Sequence, residues 1–301
     1  MVRCGSCGDV AQCPACSVSM NYHTANRALL CHYCGYQRER AELCDICGSE
    51  LLRYMGAGTQ KLEETLNQVF PDARILRVDM DTTMSKFSHQ RLFADFLAGQ
   101  HDILIGTQMV AKGLNFPNVT LVGVLGVDQS LYANDFRSFE RTFALLTQVV
   151  GRSGRGALGG RAIIQTYCPE NPIVSLAARQ DYPAFFTDED EGRKIHIYPP
   201  YCVMAGVGFV GADQKKALDA AKAFAQHFRK LAGSKYPDLP LRLLGPTPAE
   251  VARVAGKYRY KLILKCKNSR DTRALIREAL EWFYRDIRQV SIFVDMYYDG
   301  W

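Results

Sequence analysis

The sequence lacks the glycine-rich string that cradles nucleotide phosphates, G-x-x-x-x-G-K-[ST], anywhere in its 301 residues. It also lacks any apolar run approaching about 20 residues, the length needed to cross a bilayer. The first residues show no hydrophobic run typical of a signal peptide. These absences argue against a membrane protein, a secreted protein and a complete phosphate-loop ATPase.

Cysteine is abundant, and its placement is the most specific signal in the chain. Eight of the 11 cysteines form four Cys-x-x-Cys pairs within the first 50 residues. Each such turn directs two thiolates toward one point, and two turns complete a tetrahedral zinc site. Disulfides or a thioredoxin-like redox motif are the alternatives, but such a motif uses one pair rather than four. We therefore expect two structural zinc ions and a reducing compartment, the cytoplasm.

The four pairs can be divided between two sites in three ways. Cys16 and Cys31 are separated by 14 residues, enough for a β-hairpin, so the two central pairs are expected to share one ion. Closing this unit brings Cys7 near Cys44, and the outer pairs then share the second ion. The expected ligand sets are Cys4, Cys7, Cys44 and Cys47 for one zinc, and Cys13, Cys16, Cys31 and Cys34 for the other.

Glycine follows the second cysteine in three of the four pairs, at Gly8, Gly35 and Gly48. A left-handed backbone at this position helps to wrap amides around the sulfurs, and glycine adopts it without strain. Ser17 takes the place of glycine in the remaining pair.

Beyond residue 50, alternating helical and strand patterns predict a parallel sheet with helices on both faces. After residues 199–200 the order changes to β-α-β-β-α-β, the ferredoxin-like arrangement. An acidic tract, residues 187–192, is predicted to be a linker. The expected domains are therefore 1–50, 51–191 and 192–301. Predicted strands are 75–79, 103–106, 119–127, 162–166, 203–210, 241–244, 257–267 and 291–296. One predicted helix spans 136–150. Four others begin after residue 59, after residue 88, after Asp213, and after either Ser269 or Asp271.

Positive charge is concentrated in the last third of the chain. Residues 192–301 carry 20 Lys and Arg against 10 Asp and Glu, whereas residues 51–191 carry 13 against 16. Alternation along 257–267 places five cations on one strand face. In a ferredoxin-like fold one sheet face packs against helices and the other is expected to be open, so we expect this row to contact DNA phosphates. The alternative is a solvated row of lysines that prevents edge pairing. The expected DNA-contacting row is Lys257, Arg259, Lys261, Lys265 and Lys267.

A second specific signal is the string Q-V-V-G-R-S-G-R-G at residues 148–156. Two arginines in a glycine-rich turn after an amphipathic helix are suited to binding a triphosphate. The string resembles motif VI of superfamily 2 helicases, and residues 103–117 look like motif V of the same enzymes. Residues 56–59 and 79–83 also match one family. Together with the upstream cysteines, they make the whole chain resemble the primosomal protein N′ family of replication-restart helicases.

This resemblance implies a fold and a set of site residues. The expected fold class is α/β: a RecA-like parallel-sheet helicase lobe, the second of two, with a double zinc-ribbon module and an α+β ferredoxin-like C-terminal domain. Motif VI would contact ATP phosphates and couple nucleotide to DNA. Motif V would contact the DNA backbone and the nucleotide, although Asn115 stands where many relatives have Asp. The implied residues are Arg152, Arg155 and Gln148 for catalysis, Gly113, Asn115 and Gly151 for nucleotide, and Thr107 for DNA.

The resemblance also implies partners and a missing part. ATP and Mg²⁺ bind between two lobes, and the first lobe is absent from this sequence, so we expect no ATPase from this chain alone. Expected partners are branched and single-stranded DNA, primosome proteins, single-stranded DNA-binding protein and factors that load the replicative helicase. One alternative is a zinc-stabilised DNA- or protein-binding module without turnover. A zinc-ribbon RNA-binding protein of translation fits the basic domain but not residues 148–156.

Overall fold

The computed structural model describes residues 2–23, 28–39, 42–54, 58–79, 88–111, 116–133, 135–151 and 159–298. The chain divides into two compact units, one of Met1–Gly56 with Arg193–Trp301 and one of Ala57–Gly192. The mixed α/β architecture agrees with the expected fold class. Every helix in the described ranges is too short or too polar to span a bilayer.

The cysteine module is built from short antiparallel strands around the thiols. A hairpin follows Cys16, as expected, and a third strand extends it into a sheet of order β2-β3-β4. The module ends past the expected boundary at residue 50, because its last strand, β5, pairs with its first, β1. Met20 and Leu29 are buried among the central cysteines. The strands are β1 (Val2–Cys4), β2 (Asn21–His23), β3 (Ala28–Leu30), β4 (Gln37–Glu39) and β5 (Leu52–Tyr54).

The second unit contains the helicase-like lobe, in which strands and helices alternate as predicted. Two parallel pairs, β6–β7 and β8–β9, form within the described residues. Phe143 stacks on Phe185 with ring centroids 4.0 Å apart and anchors the C-terminal part of the lobe. The elements are α1 (Thr59–Val69), β6 (Ile75–Val78), α2 (Ser88–Leu97), β7 (Ile103–Gly106), α3 (Gln108–Ala111), β8 (Leu121–Val124), α4 (Asp128–Leu131), α5 (Ser138–Val150), β9 (Arg161–Ile164), α6 (Pro172–Arg179) and α7 (Tyr182–His196).

The acidic tract at residues 187–192 is not the predicted linker, because it lies inside α7. The Asp181 carboxylate accepts a hydrogen bond from the Ala184 amide and caps the first turn. Phe185 is buried and fixes this turn to the lobe. The acidic residues precede basic ones by about one helical turn, as with Glu189 and Arg193, a spacing that favours helix.

The C-terminal domain is ferredoxin-like, as predicted. Its four strands are antiparallel in the order β11-β12-β10-β13, and α8 and α9 share a core with one face of this sheet. Asp213 and Ser269 cap the two helices by accepting hydrogen bonds from Lys216 N and Thr272 N. The elements are β10 (Val203–Gly211), α8 (Gln214–Lys235), β11 (Leu241–Val254), β12 (Lys257–Cys266), α9 (Arg270–Asp286) and β13 (Ser291–Asp295).

Strand β11 is much longer than the predicted strand 241–244. It continues to Val254 with register shifts between Leu244 and Thr247 and between Pro248 and Arg253. Pro246 and Pro248 disguise the strand in the sequence, because proline cannot donate a ladder hydrogen bond and is tolerated at such irregularities. The β11–β12 hairpin turns at Ala255 and Gly256, both with positive φ.

Candidate functional site

The eight paired cysteines form two groups of four thiols. Within each group, the sulfurs all lie within 4.8 Å of one another. Cys4–Cys47, Cys7–Cys44 and Cys13–Cys34 each have sulfurs 3.6 Å apart. A tetrahedron with zinc–sulfur bonds of about 2.3 Å has edges of roughly 3.8 Å, so the donor geometry suits zinc. The groups are Cys4, Cys7, Cys44 and Cys47, called here the outer site, and Cys13, Cys16, Cys31 and Cys34, called the inner site.

The glycines that follow the cysteine pairs have the predicted left-handed backbone. Gly8, Gly35 and Gly48 have φ of 79°, 73° and 68°. Each donates its amide to the carbonyl of the first cysteine of its pair, at 2.9–3.1 Å. This closes a tight turn, or knuckle, around the two sulfurs.

The electrostatics of both groups call for a cation. The amide of Cys7 lowers the pKa of the Cys4 thiol to about 6, which favours the thiolate. Burial raises the pKa of Cys16 to about 12, so its thiolate needs a compensating positive charge. All four donors in each group are cysteines, leaving no ligand position for a substrate. Both sites are therefore structural zinc sites.

The two sites differ in exposure. In the outer site Cys7 and Cys47 are exposed, whereas in the inner site Cys13, Cys16 and Cys31 are buried. Ile46, between Cys44 and Cys47, is 72% exposed. The outer site thus lies at the surface of the module and the inner site in its core.

The structure describes part of the helicase motifs. Gln148 lies exposed in the last turn of α5, and Gly151 ends that helix. A Cβ at Gly151 would lie 3.1 Å from the Thr147 carbonyl oxygen, a tight contact. Thr107 is exposed just after β7. The other predicted nucleotide-site residues lie outside the described ranges: Arg152, Arg155, Gly113 and Asn115.

Two segments singled out in the sequence come together at the end of β6, where Val78 pairs with Gly106 of the motif V segment. The Thr59 hydroxyl donates to the Asp79 carboxylate at 2.6 Å. Arg77 bridges Asp79 and Glu63 at 3.1 Å from each. Asp79, only 9% exposed, therefore ties the start of α1 to the end of β6.

The predicted row of phosphate-binding cations on β12 is only partly available. The inward alternation is correct, since Tyr260, Leu262 and Leu264 are buried in the domain core. Lys265, however, is 8% exposed; its Nζ donates to the His196 carbonyl at 2.8 Å and lies 3.7 Å from the centroid of the Tyr198 ring. Burial lowers its pKa.

Lys261 is also engaged inside the domain. Its Nζ donates to the Tyr298 hydroxyl at 2.8 Å. The expectation that this sheet face is open was wrong, because the segment before β10 and the one after β13 contact it. The alternative of a solvated edge is wrong too, since β12 is a central strand paired with β10 and β11. Lys257 and Lys267 are exposed, and Arg259 is partly so.

Helix α8 carries a basic surface that sequence reasoning did not single out. It holds six lysines and arginines against one aspartate, whereas α9 has four arginines and four acidic residues. Lys215, Lys222 and Arg229 are spaced by seven residues and exposed, so they share one helix face, and Lys230 is exposed beside Arg229. Within the described ranges these four make no hydrogen bond or ion pair. The period of seven was readable from the sequence.

These features define a class: a helicase C-terminal lobe joined to a double zinc module and a basic ferredoxin-like domain. Family models match all three parts. They are the PriA DNA helicase Cys-rich region at residues 13–38, the helicase conserved C-terminal domain at 54–157 and the primosomal protein N C-terminal domain at 194–297. The chain belongs to the primosomal protein N′ (PriA) family and corresponds to its C-terminal part.

Curated relatives support this assignment over nearly the whole chain. Replication restart protein PriA of Bacillus subtilis is 43% identical over 98% of this chain and 36% of its own length. The Synechocystis protein of the same name is 40% identical over 88% of this chain and 32% of its own. The Haemophilus influenzae protein of this name is 35% identical over 98% of this chain and 40% of its own length. The chain thus spans about a third of the length of the relatives it matches.

Proposed function

We propose that this chain is the C-terminal part of an ATP-dependent superfamily 2 DNA helicase that acts at stalled or repaired replication forks and starts primosome assembly. The observation that carries the proposal is the motif VI string at 148–156 in a lobe flanked by the double zinc module and the basic domain. The names of the relatives, replication restart protein PriA, support the same process. Its place of action would be the bacterial cytoplasm, on the nucleoid.

The proposed site divides the work between this chain and a first helicase lobe. Arg152 and Arg155 would stabilise the charge on the transferred phosphoryl group, and Gln148 would couple nucleotide to DNA. Gly151 would let the backbone turn toward the nucleotide. ATP and Mg²⁺ would be held mainly by the first lobe. The remaining proposed contacts are Gly113 and Asn115 to the nucleotide and Thr107 to the DNA backbone.

This division predicts that the chain alone does not hydrolyse ATP. Without a phosphate loop, neither the phosphates nor Mg²⁺ are held in line for transfer. The measurement is phosphate release with and without single-stranded DNA. DNA-stimulated hydrolysis by this chain would contradict the proposed division.

The basic surface of α8 supports a second, separable function, which is DNA binding by the C-terminal domain without turnover. Phosphate contacts release counterions, so the affinity should fall linearly on a log–log plot against salt. We propose that Lys215, Lys222, Arg229 and Lys230 make most of these contacts. Exposed Lys257 and Lys267 and partly exposed Arg259 would contribute.

Two double variants of equal charge change separate this surface from the β12 row. Lys222→Gln with Arg229→Gln should reduce the salt slope by about 1.4 on single strands and about 1.8 on duplex if both residues contact phosphates. Lys261→Gln with Lys265→Gln removes the same charge, but from side chains that already donate hydrogen bonds within the domain. It should leave the slope unchanged in protein that circular dichroism shows to be folded. The reverse pattern would place the DNA contact on β12.

Partners other than DNA are proposed from the family alone. They are primosome proteins, single-stranded DNA-binding protein and loading factors of the replicative helicase. The exposed outer knuckles of the cysteine module offer a surface for such contacts.

A further inference from the structure

One of the four knuckles in the cysteine module is not closed by the local glycine-amide bond that closes the other three. At Cys13–Cys16 the position after the second cysteine is Ser17 rather than glycine. Its amide does not close the local turn but donates to the Arg253 carbonyl at 2.9 Å, 236 residues further along. The Arg253 amide returns a bond to the Ser17 hydroxyl at 2.9 Å.

The amide that hydrogen-bonds the second cysteine is also supplied from a distance. In the outer site, the Cys4 sulfur accepts from amides of its own knuckle, those of Ser6 at 3.4 Å and Cys7 at 3.5 Å. In the Cys13–Cys16 knuckle, the Cys16 sulfur accepts from the amide of Ala255 at 3.2 Å. Ala255 lies at the tip of the β11–β12 hairpin of the C-terminal domain, so this tip takes the place of a local turn.

Further contacts hold the hairpin tip on this knuckle. The Gly256 amide donates to the Ala15 carbonyl at 2.8 Å, and the Arg253 guanidinium donates to the Pro14 carbonyl at 2.6 Å. Val254 packs against the buried cluster of the module. Ala255 and Gly256 have φ of 49° and 77°, which turn both amides toward the knuckle.

We propose that the hairpin tip, residues 253–256, is the outer shell of the inner zinc site. Zinc binding at this site and docking of the C-terminal domain on the cysteine module are then linked. Linkage is reciprocal: docking changes the zinc affinity of the inner site by the same factor by which zinc changes the docking equilibrium. Outer-shell groups around metal ligands typically change metal affinity by about 10–100-fold when removed. Among the described residues, the amides bonded to outer-site sulfurs are local, so we expect this site to be independent of the hairpin.

The first test removes a docking contact and follows each zinc site separately. In Arg253→Ala, the inner site should lose zinc to a chelator roughly 10-fold faster or more, while the outer site is unchanged. Site-resolved alkylation with mass spectrometry distinguishes the two sets of cysteines. Arg242→Ala, an exposed arginine of the same strand, is the matched control. Equal effects on both sites, or no effect on the inner site, would overturn the proposal.

The second test runs in the opposite direction and does not depend on the hairpin variant folding. In Cys13→Ser, the amides of Ala255, Gly256 and Ser17 should lose protection against hydrogen exchange. In Cys47→Ser, which disrupts the outer site, they should keep it. Amides of Phe209 and Leu262 in the domain core report whether the fold is intact. Equal protection at the tip in both variants would contradict the linkage.

Discussion

At the scale of single residues, Lys265 and Ser17 make contacts that no neighbouring residue in the sequence provides. Alternation on β12 correctly directed Leu262 and Leu264 inward. It said nothing of Tyr198, whose ring lies under the Lys265 ammonium. Ser17 is a similar case, since its departure from glycine is visible in the sequence but Arg253 is not. Both outcomes depend on partners far along the chain.

Lys265 should therefore stabilise the C-terminal domain. Lys265→Gln removes a charged donor from the His196 carbonyl and a cation from the Tyr198 ring. The expected loss in the free energy of unfolding is about 1–3 kcal/mol. Arg259→Gln, on the same strand face but less buried, should change it by no more than about 0.5 kcal/mol. Denaturant unfolding of the two variants measures the difference, and equal stability would mean that Lys265 is effectively solvated.

At the scale of elements, local patterns predicted most of the helices and strands with small shifts at their ends. The order of the C-terminal domain was predictable because its periodic runs and caps are local signals. The same signals failed for α7, where a charged tract resembled a linker, and for β11, where prolines concealed a strand. In both places tertiary contacts, the buried Phe185 and the pairing with β12, override composition.

A glycine substitution tests whether residues 187–192 are helical. Gly192 lies in α7, and a Cβ there would meet no atom within 4 Å. Gly192→Ala should stabilise its unit by about 0.5–1 kcal/mol, because alanine favours helix. Gly233→Ala is the control. Gly233 also has free space for a Cβ, and it lies in α8, a helix that was both predicted from the sequence and found in the structure. If only the control raises the midpoint of thermal unfolding, the tract is not helical in solution.

At the scale of the whole molecule, the ligand grouping and the C-terminal topology could be inferred from sequence, whereas the union of the first and last segments could not. Residues 1–50 and 192–301 were treated as separate domains, yet Met1–Gly56 and Arg193–Trp301 form one compact unit. The hydrogen bonds that join residues 14–17 to the hairpin tip each involve at least one backbone amide or carbonyl. Backbone hydrogen bonds of this kind leave no signature in side-chain patterns.

The central claim is that the motif VI arginines act on ATP only when a first helicase lobe supplies the phosphate loop. Its most direct test is steady-state ATP hydrolysis, with saturating single-stranded DNA, by a protein in which a first helicase lobe precedes this chain. Arg152→Ala and Arg155→Ala should each lower kcat on the order of 10³-fold, with DNA affinity unchanged. Turnover close to that of the unsubstituted protein in both variants would contradict the account.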